Sequence, residues 1–442
     1  MADTEPVGTT TSTATLPLLP PSFCAFLRDN HINAEVYNTS RQLPRYVRII
    51  RYHQRSKQYI DELVQQIQAD AGCRVSKVDS VPGFIEIADQ TIRLSQISAY
   101  NNGDIVGMDV SSGIAALALS VEPGDNVLDL CCAPGAKLLL LADLLDNHQK
   151  GVKRGTVTGV DISPHRAATC KSLVKKHAGN DRGFIRVFVD DGTTFDYKAP
   201  QHGWHDPQVV KAASTSINSP SSSSDSSVVQ SKRQKRAVLG QPWFAPKLLS
   251  TVYACSGTQL YDRVLVDAEC THDGSLVHVQ KYAQWGWEQL DARVVDGNRS
   301  VTVPILQSKL LENGWRLLKP GGVLVYSTCS LSRYQNEFVL GGFLARHIED
   351  EAVLEPIPLL ADSGAIVTSS IWAPIDDDEW DRSGLSQKRS VFSRMCHAVR
   401  LDPLVSNTSG MFIARIKKLK QGAQLEDSEI IPLALPPSIQ QI

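Results

Sequence analysis

No apolar run in the 442 residues approaches the roughly 18–20 that a membrane-spanning helix needs, so a membrane partner is not expected. No CxxC pair occurs either. The nine cysteines are scattered, with Cys131 and Cys132 adjacent, so neither a metal site nor a disulfide framework is expected. A reducing compartment, nucleus (or nucleolus) or cytoplasm, is the simplest reading. The first 21 residues lack a basic leader and a long apolar core, which argues against secretion. Net charge is nearly absent at −2, so the whole chain is not a polycation. The phosphate loop GxxxxGK[ST] and the dinucleotide turn GxGxxG are also missing, and ATP and NAD fit less well for it.

What is present is an ordinary globular composition, 42% hydrophobic and 21% charged, in a length suited to two or three domains. Residues 1–21 are rich in Thr, Pro and Leu and read as a disordered tail. Residues 22–100 read as a small α+β unit. In it, Tyr59, Ile60, Leu63, Ile67 and Ala71 recur at helical spacing, and residues 74–94 form short strands about a Pro82-Gly83 turn. Residues 41–57 carry six Lys/Arg, two Tyr, one His and no acid. That stretch reads either as a footprint for an anionic backbone such as RNA or as a solvated basic face. Residues 101–420 form the main domain. It is interrupted at about 205–245 by a Ser-rich insertion in which no packed element is expected, and 421–442 read as a second tail. Within the insertion, 232–236 (KRQKR) reads as a nuclear-import patch, an RNA-backbone contact or a solvated linker cluster.

The main domain alternates strands and helices. Strands are predicted at 126–131, 156–162, 184–190, 262–267 and 322–327, most of them Val/Leu/Ile-rich without alternation, as strands buried on both faces are. Helical patterns fall at 137–145, 164–177 and 304–318. The expected fold is α/β, a Rossmann-like doubly wound sheet with ligands at the carboxyl ends of its strands.

The first strand runs into CAPGAKL (Cys132, Ala133, Pro134, Gly135, Ala136, Lys137, Leu138), a turn of small residues opening a helix. Such a turn lets a ligand approach backbone amides at a helix N-terminus. Asp161 ends the second strand, 26 residues beyond Gly135, where doubly wound folds keep an acid for ribose hydroxyls. Ser163-Pro164 already supplies a helix cap there, so Asp161 is less needed for that purpose. Asp190-Asp191 ends the third strand and suits an adenine amino group, while Asp267 ends the fourth and suits an ammonium. An adenosine bearing a cationic amino-acid tail, S-adenosylmethionine, is the cofactor these acids fit best. Cys270 and Cys329 follow the fourth and fifth strands, and adjacent parallel strands would bring both thiols to the cofactor's side. A cysteine there suits addition to C6 of cytosine, which makes C5 nucleophilic, provided its pKa of ~8.5 is lowered or a base assists.

Together 127–137 (VLDLCCAPGAK), 264–271 (VLVDAECT) and 321–337 (GGVLVYSTCSLSRYQNE) resemble the RNA (cytosine-5) methyltransferases of the Sun/Nop type. The likeness extends to 108–119 and 400–418, and more loosely to PRYVRI near Pro44. It implies a class I S-adenosylmethionine-dependent methyltransferase acting on tRNA or rRNA, with the front unit contacting RNA; a monomer is expected. It also implies Cys329 as the nucleophile and Cys270 as the thiol that helps release product. Cofactor contacts would come from residues 132–138, Asp161, Asp191 and Asp267. The chain departs from the family where Ala136-Lys137-Leu138 replaces Gly-Lys-Thr and where Glu269 replaces a proline; a negative charge at Glu269 predicts a raised Cys270 pKa. The alternative is an RNA-binding scaffold that retains the fold without the activity.

Overall fold

The computed structural model describes residues 19–38, 43–146, 155–178, 184–200, 259–347, 351–361, 395 and 397–420. The expected N-terminal tail, Ser-rich insertion, KRQKR run and C-terminal tail lie almost wholly outside them.

The front unit is a four-stranded antiparallel sheet: β1 (Arg45–Ile49), β2 (Val75–Lys77), β3 (Phe84–Ile87) and β4 (Ile105–Gly107), in the order β2-β3-β1-β4. The helix Lys57–Ala71 lies on it through Ile60, Leu63 and Ile67. Its ends follow from local chemistry. The Ser56 hydroxyl accepts the Tyr59 amide at 3.1 Å, and Gly72 takes the left-handed conformation (φ +64°) that closes the last turn.

The second sheet is eight-stranded. Five parallel strands make its centre: β5 (Asn126–Asp129), β6 (Thr156–Asp161), β7 (Ile185–Val189), β8 (Tyr261–Asp267) and β9 (Leu318–Thr328). The order is β7-β6-β5-β8-β9, so the chain reverses direction across the sheet between β5 and β8. Ligands sit at such a switch point, beyond the carboxyl ends of the strands. All five correspond to strands expected from the sequence. β6 is buried at every position, which is why it shows no alternation.

Three strands were not anticipated: β10 (Ala352–Glu355), β11 (Val399–Leu401) and β12 (Met411–Lys418). β12 pairs antiparallel with β9 and carries the other two. The helix expected from Pro304 begins earlier and runs Gly297–Leu317. Asp296 caps it by accepting the Asn298 and Arg299 amides, and Pro304 sits inside it.

The two sheets meet along the helix Ala136–Leu145. Arg48 on β1 and Asp143 on that helix form a buried ion pair. Arg51 lies 3.5 Å from Asp146, and Arg55 lies 3.4 Å from Asp104 and over the Tyr59 ring. Arg45 donates to the carbonyls of Gln90 and Ile92. Four guanidinium groups of the basic stretch therefore have partners within the chain. Among the described residues no helix is long and apolar enough to cross a membrane.

Candidate active site

A cavity of about 880 Å³ opens at the switch point. Of the seven-residue turn, Ala133, Pro134 and Lys137 line it, joined by Leu130 and Cys131 from just upstream. Cys132 and Leu138 are buried in the core instead. Cys132 Sγ lies 3.8 Å from Cys170 Sγ, and Leu138 and Cys132 crowd Gly159 on β6. Leu138 is thus a packing residue. Gly135 has φ +110°, and a Cβ there would lie 3.1 Å from Cys170 Cα. The backbone turn and helix packing require glycine at that position, rather than the approach of a ligand.

Asp161, Asp191 and Asp267 all line the cavity. Asp161 is nevertheless used locally: its Oδ1 accepts the Ser163 amide at 2.9 Å, and Oδ2 lies 3.5 Å from Arg166. Ile162, next in sequence, is exposed and lines the same wall. Asp191 Oδ1 accepts the amide and hydroxyl of Thr193, both at 2.8 Å. Asp267 meets an ammonium from within the chain, Lys137 Nζ at 2.8 Å, and accepts the Ser327 hydroxyl at 2.8 Å. Lys137 also donates to Ser112 Oγ.

Asp129 was not singled out from the sequence. It ends β5 and is buried, immediately before the lining residues Leu130 and Cys131. Its Oδ1 accepts the Cys131 amide at 3.3 Å, and Oδ2 has no hydrogen-bond partner among the described residues. Burial, and then the charge of Asp267, push its carboxyl up to about 7. The expected strand 126–131 extended past Asp129 and concealed it as a mid-strand residue.

The parallel register pairs Asp267 with Ser327, so the loops after β8 and β9 leave the sheet side by side. Cys270 Sγ and Cys329 Sγ are 3.3 Å apart at the cavity wall. The loops are tied by buried polar groups. Asp273 Oδ1 accepts the Thr271 and Ser330 hydroxyls, and Oδ2 accepts the Leu331 amide at 2.7 Å. Gln335 accepts the Thr271 amide, and Asn336 donates to the Ser330 carbonyl. The Gln-Asn pair after Cys329 thus supports the cysteine loops.

The third member of the cluster, His272, was also missed. Its Nδ1 lies 2.8 Å from Cys329 Sγ and 3.6 Å from Cys270 Sγ, and the rest of the ring is open to the cavity. Cys270 is pulled down to about 5, first by the hydrogen bond from Cys329 and, against burial, by His272. Cys329 is held well above the usual thiol range by the same bond and by burial. His272 is pushed up to about 9, chiefly by the charge on Cys270. The charge titrates on Cys270 while the imidazole nitrogen lies closer to Cys329. At a 3.3 Å contact one proton can serve either sulfur, so the thiolate belongs to the pair. The raised Cys270 pKa expected from Glu269 does not occur, because Glu269 is half exposed and faces Arg299 at 3.4 Å.

A parallel sheet reversing at β5/β8, with acids at successive strand ends, is the class I methyltransferase architecture. Solved structures share it. The chain matches NSun6 from Pyrococcus horikoshii solved with SFG at TM-score 0.55 and 15% identity, covering 91% of this chain and 99% of that one. A methyltransferase homolog protein from Pyrococcus horikoshii matches at TM-score 0.54 and 21% identity, covering 91% and 100%. The family model for 16S rRNA methyltransferase RsmB/F matches residues 247–417. The chain is 30% identical over 236 residues to 5-cytosine rRNA methyltransferase NSUN4 of Bos taurus, covering 53% of this chain and 43% of the relative. To ribosomal RNA small subunit methyltransferase B of Xanthomonas campestris it is 26% identical, covering 71% and 53%. To the multisite-specific tRNA:(cytosine-C(5))-methyltransferase trm4b of Schizosaccharomyces pombe it is 25% identical, covering 77% and 46%. The chain is thus similar to the Sun/Nop-type RsmB/F RNA (cytosine-5) methyltransferases, the family model matching its residues 247–417. It spans about half the length of the curated relatives it matches.

Proposed function

We propose that this protein methylates C5 of a cytidine in transfer or ribosomal RNA, with Cys329 as nucleophile. The observation that carries the reading is the pair of thiols at adjacent strand ends, 3.3 Å apart on the wall of a cavity that strand-end acids also line. S-adenosylmethionine supplies an electrophilic methyl group when bound. The residues present suit it. The cavity falls within the ~300–1,000 Å³ range of small-molecule sites, and Asp129, next in sequence to the lining residues Leu130 and Cys131, keeps a buried carboxylate oxygen with no hydrogen-bond partner among the described residues. Ala133, Pro134, Lys137, Asp161, Asp191 and Asp267 would hold the cofactor, with exposed Ile162 offering an apolar surface to its base.

Cytosine C5 is a weak nucleophile. Addition of the Cys329 thiolate to C6 forms an S–C6 bond and moves the C5=C6 electrons to C5. After C5 takes the methyl group, loss of the C5 proton restores the double bond and expels Cys329 as thiolate. Cys270, in contact with Cys329, helps that departure. The target must leave its stack to reach the thiols, as in a loop or a flipped base. Arg293 and Arg299 line the cavity and suit the flanking phosphates.

The test is methyl transfer from labelled S-adenosylmethionine to RNA prepared from cells lacking the protein. Cys329→Ala should abolish transfer. Cys270→Ala should accumulate a denaturation-resistant protein–RNA adduct. Full activity of the Cys329 variant would refute the nucleophile, and absence of an adduct would refute the release role. A wild-type protein that binds RNA but not S-adenosylmethionine would instead be a scaffold.

A further inference from the structure

His272 occupies a position that its backbone does not favour. Its φ of 58° lies in the left-handed region, which glycine and asparagine adopt readily and histidine seldom does. Non-glycine residues held there cluster at functional sites. The conformation aims Nδ1 at the sulfurs, 2.8 Å from Cys329 and 3.6 Å from Cys270. It is held on both sides. Cys270 and Thr271 are buried before it, and Asp273 after it is fully buried and bonded to Thr271, Ser330 and Leu331.

We propose that His272 is a catalytic residue, the proton acceptor that converts the Cys270/Cys329 thiol pair to a thiolate–imidazolium pair before Cys329 attacks. The inference rests on the Cys329 reading above. The Cys329 S–H bond breaks, the electron pair stays on sulfur, and the proton passes to Nδ1. Because Cys329 later departs from C6 as thiolate, the ion pair is regenerated with His272 still protonated. The C5 proton therefore leaves by another base.

Other charges face the group. Asp267 and Asp273 favour the imidazolium, His278 stacks obliquely at 5.7 Å between centroids and opposes it, and Lys137 favours thiolate on Cys329. His278 is itself bonded to Ser275 Oγ at 2.8 Å, and its own pKa is lowered by burial first. Activated nucleophiles commonly show this arrangement of a thiol beside an imidazole fixed by a rigid neighbour.

The experiment is site-resolved alkylation by iodoacetamide across pH, read by mass spectrometry of the Cys270 and Cys329 peptides. His272→Asn and His272→Gly both tolerate the left-handed backbone, so folding is preserved. The midpoint of Cys329 alkylation in Cys270→Ser, which removes the second thiol and keeps the Cys329–His272 contact, should stay at least one pH unit below the ~8.5 of an ordinary thiol. Adding His272→Asn or His272→Gly to that variant should return it to the ordinary value. A Cys270→Ser protein whose Cys329 titrates as an ordinary thiol, or profiles that superimpose with and without His272, would overturn the assignment. The readout needs no RNA. A midpoint that moves as expected while wild type transfers no methyl to RNA would uphold His272 and refute the RNA reading. Full RNA methylation with an unmoved midpoint would do the reverse.

Discussion

Asp129→Asn should stabilise the protein, and more so at alkaline pH. The carboxyl is fully buried, receives one amide hydrogen bond and is pushed from 3.8 to about 7 by burial and by Asp267. A folded-state pKa above the unfolded one means that the native protein holds a proton that the unfolded chain releases. The penalty is absent below the unfolded pKa, grows through the interval, and is complete above about 7. Each unit is worth roughly 1.4 kcal/mol, so the full penalty is about 4 kcal/mol, an upper figure because relaxation and water entry reduce it. The neutral amide avoids the penalty, and its oxygen can still accept the Cys131 amide. The assay is denaturant unfolding of wild type and Asp129→Asn at about pH 5.5 and about pH 8, where the gain should be larger at the higher pH by roughly 2 kcal/mol. Taking the difference between the two pH values cancels the polarity change itself. A gain of equal size at both pH values, or a loss that deepens with pH, would refute the reasoning.

Two further predictions concern the elements around the site. Arg48→Met leaves the Asp143 carboxylate buried against the front sheet and should cost about 3–5 kcal/mol in denaturant unfolding, with much of the loss recovered by adding Asp143→Leu. Asp161→Asn should weaken S-adenosylmethionine in isothermal titration by roughly tenfold, the loss of one charge-assisted hydrogen bond, while its amide oxygen still caps Ser163 and unfolding is little changed.

How far the sequence could be read depends on whether a feature is local. Most of the five parallel strands carry a run of Val, Leu or Ile, as in the VLV of β8 and β9, so composition marks them, while β6 (TVTGVD) is buried at every position despite its two threonines. β12 was harder. MFIARIKK is apolar at first and ends in lysines, and its place beside β9 is a long-range pairing. The cysteines were legible because each follows a recognisable strand, and adjacency in a parallel sheet does the rest. His272 has no spacing partner. What makes it distinctive is a left-handed φ and a 2.8 Å contact to a sulfur 57 residues away, neither visible in one dimension. The basic stretch 41–57 was legible only in part for the same reason. Its cations are plain in the sequence, while their partners Asp104, Asp143 and Asp146 come from later elements. The cradle was read correctly as a turn but too broadly as a contact surface, because side chains alternate there between cavity and core, with Lys137 facing one and Leu138 the other.

The central claim, that Cys329 bonds covalently to C6 of cytidine in RNA, is tested most directly with RNA carrying 5-fluorocytidine. Fluorine at C5 cannot leave as the proton does, so the adduct persists after methyl transfer. Digestion and mass spectrometry of the trapped complex should locate the methylated nucleotide on the peptide that contains Cys329. A nucleotide bound to Cys270 instead, or no covalent complex with an RNA that the protein otherwise methylates, would contradict the account.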